Sequence, residues 1–452
     1  MRSGLTRGNG ISLIVAGLVA ALSVTLAGCG GSDQLTSLKR TLENPFRKDK
    51  AKLPGERIAV ITDPNMIALD PAEAGRPLQL PSPQVNASWS QPGGSPSNSL
   101  GHLALGDQPH KVWSADAGTG SSSSGRLSAV PLVADGKIFT LDAGGRVTAF
   151  AAASGAKVWS ASVTPENEKS REGFGGGIAM DGGHLYAATG YGTVVSLDAS
   201  NGSVLWTKRI GKPIRSSPTA AGGKIFFVST DNVLYALSDS DGQQLWTARG
   251  LPQTASLLSN VSPAVSGSIV IAPFPAGDVA AYEIEGGKPA WSDSLMRSTE
   301  TTAGGVLGDP ARPVIDHGVV FAVSHGGKMI AASESNGERL WTLNIGSTQM
   351  PWIAGDNVYL VDLGGKLVAI GRADGKVRWT SELPGSGRWN GPVLAGGKLW
   401  LVSGDGLLVG ADARTGQLST QLDLGTPVFV SPVVAGGRMY ILADNAELIA
   451  LN

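Results

Sequence analysis

The chain has 452 residues, 36 basic against 37 acidic, with a formal net charge of −1. That balance, with no basic stripe, speaks against nucleic acid as a partner, and a single cysteine excludes a disulfide within the monomer. The 63 Gly and 26 Pro fit a turn-dense all-β protein.

Residues 1–28 read as a lipoprotein signal peptide. Arg2 and Arg7 make a basic start, and Ile11–Leu26 is an apolar run short for a membrane span. The run ends in Leu26-Ala27-Gly28-Cys29, which resembles the lipobox of bacterial lipoproteins. That resemblance implies cleavage before Cys29 and acylation of its thiol and amine, and acyl chains at about 0.8 kcal/mol per buried CH₂ anchor a soluble domain firmly. An ordinary secretory signal with an incidental cysteine is the alternative. Gly30 stands where lipoproteins retained at the inner membrane commonly carry Asp, so the resemblance points to an outer-membrane anchor facing the periplasm. Residues 29–56 are mixed-charge with few large apolar side chains, and they read as a lipidated flexible tether.

Residues 57–109 are less regular. RIAVIT (57–62) looks like a strand, proline then recurs at 64, 71, 77, 81 and 83, and NASWSQPGGSPSNSLGHLAL (86–105) is loop-like. This segment is expected to pack, as an irregular, extended stretch, on the domain formed by the rest of the chain.

Residues 110–452 are built from one repeated phrase, LDASNGSVLW at Leu197–Trp206. Six times a Gly is followed four residues later by Trp: Gly155/Trp159, Gly202/Trp206, Gly242/Trp246, Gly287/Trp291, Gly337/Trp341 and Gly375/Trp379. A seventh copy has Gly416 followed by Thr420, and Trp113 stands upstream without its own Gly. These positions recur at about 44-residue intervals, the mark of a repeat architecture. Each unit holds short Val/Leu/Ile runs split by Gly-Gly or Asp-Gly turns, then the Trp strand, which predicts four antiparallel strands per unit. The fold class is therefore an all-β, eight-bladed β-propeller. The last unit, ending at Asn452, lacks its fourth strand, and pairing of Lys111–Ala115 with the C-terminal strands would close the ring. Trp113, Trp159, Trp206, Trp246, Trp291, Trp341 and Trp379 are expected to dock blade on blade by covering a glycine peptide that lacks a Cβ.

Chemistry is hard to find. The five histidines are scattered, none at metal-ligand spacing, and no Gly-x-Ser-x-Gly elbow or phosphate-cradling loop is present. No catalytic residue, metal ligand or cofactor is expected. What varies is the loop from each Trp strand to the next blade, and the two longest, 249–262 and 293–312, belong to adjacent blades. Variable loops on a repetitive scaffold are where binding usually lies. Leu257 and Leu258 are either exposed anchors for a partner or packing for the next blade. Arg297, Glu300, Asp309 and Arg312 are either contacts or charges of a solvated loop.

The repeats, with WSQPGG (89–94) and GHLAL (101–105), resemble those of quinoprotein propellers. Joined to the lipobox they resemble the BamB family of outer-membrane assembly lipoproteins. That resemblance covers roughly residues 85–452. It implies a non-enzymatic scaffold of the β-barrel assembly (Bam) complex that binds the POTRA domains of BamA, meets other Bam components, and assists unfolded outer-membrane protein precursors. It also implies that Leu257, Leu258 and Asp309 contact the partner, although no Arg follows the leucines as in better-studied members. A periplasmic dehydrogenase dependent on pyrroloquinoline quinone (PQQ) is the alternative; against it, the single cysteine leaves no vicinal disulfide and no acidic calcium set is evident. A glycan-binding propeller is a third reading.

Overall fold

The computed structural model describes residues 67, 69–71 and 78–452, apart from 124, 171, 174, 252–259, 297–307 and 386. All of them belong to the compact unit 63–452. Cys29, Leu257, Leu258, Arg297 and Glu300 lie outside the described residues, as do the leader and the tether.

The described chain forms eight four-stranded antiparallel sheets, the blades of a propeller. Blades 1 to 7 are each continuous in sequence: 132–162, 176–209, 219–249, 264–294, 314–343, 352–382 and 389–423. Blade 8 takes three strands from 433–451 and its fourth from Lys111–Asp116. There Trp113 pairs with Ala450 and Asp116 with Glu447. His110 and Asn452 exchange backbone hydrogen bonds of 3.1 and 3.0 Å across the gap where the other blades have a covalent turn. First strands of successive blades touch one another and so line the axis. The fourth strands, alternately exposed and half-buried, form the rim.

The repeated phrase shows how a blade is made. Gly202 closes its turn at φ 78° with its N–H 2.8 Å from the Asp198 carbonyl, and the Asp198 carboxylate accepts from the Ser200 N–H at 2.7 Å. Beyond the turn, a register shift in the third–fourth strand pairing sets Trp206 opposite Ser196. The same shift sets Trp159, Trp246, Trp291, Trp341 and Trp379 each opposite an alanine. Each of these indoles therefore stands beside a small residue, turned toward the next blade.

There it meets glycine. A Cβ placed on Gly155 would lie 2.5 Å from Trp113, and one on Gly202, Gly242, Gly287, Gly337, Gly375 or Gly416 would lie 2.4–2.8 Å from the Trp of the preceding blade. Five indoles also donate to a backbone carbonyl in that same turn: Trp159 to Ala199, Trp206 to Asp239, Trp246 to Ile284, Trp291 to Glu334 and Trp341 to Arg372, at 2.7–3.1 Å. Behind most of them stands an aromatic ring from the second strand of their own blade, as with Phe139 behind Trp159 and Tyr186 behind Trp206, centroids 5.9 and 6.1 Å away.

Blade 7 departs from the pattern for a geometric reason. Its fourth strand carries Thr420, and the neighbouring blade 8 has no third-to-fourth turn, hence no glycine for an indole to cover. Within blade 7 the volume is redistributed. Trp400, fully buried, takes the aromatic position of the second strand, and Gly410 opposite Thr420 makes room for it.

Candidate functional site

A propeller offers two places for function: the axial channel, and the loops that open at one of its ends. The channel here is filled by the chain itself. Residues 84–104 form a belt that visits all eight blades in order. Asn86 bonds Val434 and Gly436 of blade 8, and Trp89 exchanges backbone bonds with Val133 of blade 1. Ser90 accepts from Met180 of blade 2. The Gln91 amide bonds the Met180 carbonyl and both the N–H and the carbonyl of Ala220 in blade 3, at 2.9–3.0 Å. Pro96 accepts from Val265 of blade 4, Ser97 accepts from Ile315 of blade 5, and the Asn98 amide donates to Pro313. Gly101 accepts from the Trp352 indole of blade 6 at 2.8 Å, and Leu103 bonds Leu394 and Gly396 of blade 7. The ends then meet, since Gln84 donates to His102 and accepts from Ala104.

Most of these bonds fall near the last residues of the first strands, so the belt closes the channel end away from the inter-blade loops. Trp89, Gln91 and Leu103 are each buried at 1% exposure, whereas Gln84, Val85, Ala87 and Ser88 face outward. His102 is buried as well; its Nε2 accepts from the Gly397 N–H at 2.8 Å and its Nδ1 bonds the Pro81 carbonyl. Sequence reasoning expected this segment to pack on the propeller but found no route for it. Its contacts are mostly backbone bonds, one blade at a time, and these leave no periodic signal.

The opposite end is crossed by Asn260, at the base of the 249–262 loop. Its Nδ2 donates to the Ser128 and Gly176 carbonyls at 2.6 and 2.8 Å, its Oδ1 accepts from Ser217, and its carbonyl accepts from Arg312 Nη2. One residue thus ties together segments entering blades 1, 2, 3 and 5.

The described parts of the two long loops are well held. Leu251, 62% exposed, has its carbonyl bonded by Asn232 at 2.8 Å. At the other loop, Leu295 donates to Gly277 at 2.7 Å, Ala311 donates to Val323 at 2.9 Å, and the Asp293 carboxylate pairs with Arg339 of blade 5. Two charges read from sequence as contacts or solvated groups turn inward instead. Asp309 is 1% exposed, and its carbonyl accepts from His325; a carboxylate so placed does not present itself to a partner. Arg312 is enclosed, with burial alone lowering its pKa to about 10. The turn into blade 5, held to the belt through Asn98 and to Val323 through Ala311, draws both side chains in.

Among the described residues no three His, Cys, Asp or Glu side chains converge as metal ligands.

The sequence pattern described as outer membrane protein assembly factor BamB matches residues 84–171, 143–381 and 363–452. Curated relatives include the BamB of Yersinia pestis, 26% identical over 349 residues (76% of this chain, 88% of that protein), and that of Escherichia coli K12, 26% identical over 348 residues (76% and 88%). Among solved structures, BamB from Moraxella catarrhalis superposes with TM-score 0.65 at 16% identity, covering 76% of this chain and 99% of that one. A europium-containing methanol dehydrogenase gives TM-score 0.66 at 12% identity (81% and 98%), so the ring by itself does not separate a BamB from a dehydrogenase. With a family pattern running from the belt to the last strand, the chain belongs to the outer membrane protein assembly factor BamB family.

Proposed function

We propose that this protein is a non-enzymatic scaffold of the outer-membrane β-barrel assembly machinery, binding the periplasmic POTRA domains of BamA and assisting the folding and insertion of barrel proteins. The family match from residue 84 to 452 carries this reading, and a channel filled at both ends by the protein's own chain supports a surface role over an axial one. The contact is assigned to the 249–262 and 293–312 loops, with Leu257 and Leu258 as apolar anchors and the acidic contribution coming from a group other than Asp309. Acylation at Cys29 would hold the ring against the inner leaflet of the outer membrane, where those domains are. The test is co-purification from solubilised outer membrane. Leu257→Asp with Leu258→Asp should cut recovery of BamA at least about tenfold, since two buried apolar anchors contribute roughly 1.5–3 kcal/mol each, while circular dichroism stays unchanged. Undiminished recovery would remove those two residues from the contact. Retention of the wild-type chain without BamA would overturn the scaffold reading itself.

A further inference from the structure

Each fourth strand is the last of its sheet, so the rim of the ring is a series of strand edges with backbone groups turned outward. One of these edges is taken by the chain itself. At blade 6 the Asp70 N–H donates to the Val377 carbonyl at 3.2 Å, and the Asp70 carboxylate pairs with Lys376. Three residues away, Ile67 packs against the apolar cluster between blades 5 and 6, to which Val377 belongs. Val377 is 4% exposed there. The segment thus shows what such an edge accepts: a backbone donor at the start of the strand, with an aliphatic side chain set against the joint to the preceding blade.

The same place on blade 2 is bare. Val204 stands two residues before Trp206, as Val377 stands two before Trp379. The same register shift sets Val204 opposite Leu197 and Val377 opposite Ile370. Yet Val204 is 53% exposed, and Leu205 beside it 46%. No other Trp-bearing fourth strand repeats the match, because Lys111, Lys157, Gln244, Pro289 and Arg339 fill that position. Exposed aliphatic side chains beside an unpaired strand edge make a template for one more strand. A folded protein keeps few strand edges free, whereas an unfolded chain has its backbone groups and apolar side chains available together. We propose that Val204–Arg209 of blade 2 is a docking edge for an extended segment of an unfolded polypeptide, whose aliphatic side chain packs at the joint of blades 1 and 2 as Ile67 packs at that of blades 5 and 6. Ser203 stands where Lys376 does, so the acidic residue of the blade 6 contact is not required. The edge is separate from the 249–262 and 293–312 loops, and it stands or falls independently of the contact with BamA.

The probe is a fluorescent peptide with the sequence of residues 64–71, PNMIALDP, carrying photoleucine at the position of Ile67. Titrated with the full chain, it should bind saturably below about 1 mM, and its photocrosslinks should fall on blade 2. Val204→Lys should weaken binding at least about tenfold. That variant keeps the fold, since Lys157 and Lys111 hold the same position in blades 1 and 8, and an unchanged Tm checks this. No saturable binding, equal affinity for Val204→Lys, or crosslinks confined to blade 6 would each overturn the proposal. A dimer of the wild-type chain that Val204→Lys dissolves would make a second copy the occupant and overturn it as well.

Discussion

At the scale of the residue, the indole-on-glycine contact is the unit from which the ring is made, and its two halves are coupled. Trp206 lies against Gly242, where a Cβ would come within 2.8 Å of the ring at φ 69°. Trp206→Ala should cost about 3–5 kcal/mol in urea unfolding. Gly242→Ala should also destabilise, through both the clash and the positive φ. In the double variant the clash is gone, so the combined loss should fall short of the sum by more than about 0.5 kcal/mol; strict additivity would mean the ring does not rest on that glycine. A second residue-scale device is Asp316 of blade 5, which accepts from Ser99 of the belt at 2.7 Å and pairs with Arg372 of blade 6. Burial on its own would raise the Asp316 pKa, but hydrogen bonds from His317 and Ser99 and the Arg372 charge outweigh it, and the net shift is downward. A carboxyl with a depressed folded pKa contributes stability above its unfolded pKa and loses it as pH falls through the folded value. The urea midpoint of the wild type should therefore drop in acid below about pH 4, and Asp316→Asn should flatten that drop while lowering the midpoint at pH 7.

At the scale of the element, the belt distinguishes this propeller from a bare ring of blades. Gln91 is its most heavily bonded side chain, spanning Met180 and Ala220 in two blades. Gln91→Leu keeps much of the volume and removes all three bonds, leaving one buried N–H and two carbonyls short of a partner. At about 1–3 kcal/mol per orphaned group, the loss should reach at least about 3 kcal/mol, read as a fall in Tm. A change under about 1 kcal/mol would show that the belt merely lies on the blades. Asp70 and Gln79 add contacts to blade 6, where Asp70 pairs with Lys376 and the Gln79 carbonyl accepts from Asn357.

At the scale of the whole molecule, the ring has a seam. Blade 8 is closed by a strand from the far end of the chain, and joint 7–8 lacks the Trp–Gly contact. On either side, the Trp379 and Trp113 indoles keep their glycines but have no acceptor for Nε1 among the described residues. The meeting ends of the belt, Gln84 against His102 and Ala104, bond blades 7 and 8 at this same seam. In native-state hydrogen exchange, the pairing of Lys111–Asp116 with Glu447–Leu451 should open at lower free energy than the corresponding pairs of blades 2 to 5. Uniform protection around the ring would mean that the belt fully offsets the missing contact.

The sequence alone determined the repeat, the blade number, the strand order within a blade and the residues at the blade joints. These rest on contacts repeated every forty-odd residues between positions of fixed chemistry, so each copy reinforces the others. Even the exception at Thr420 was visible, although its reason, the missing turn in blade 8, was not. Only the tertiary structure decided what fills the axis. The belt meets each blade once and mostly through backbone groups, which any side chain can supply. Asn260 bridges segments more than a hundred residues apart in sequence. Asp309 and Arg312 look like solvated loop charges until the chain around them is folded, because burial is a property of what packs over a residue and not of the residue itself.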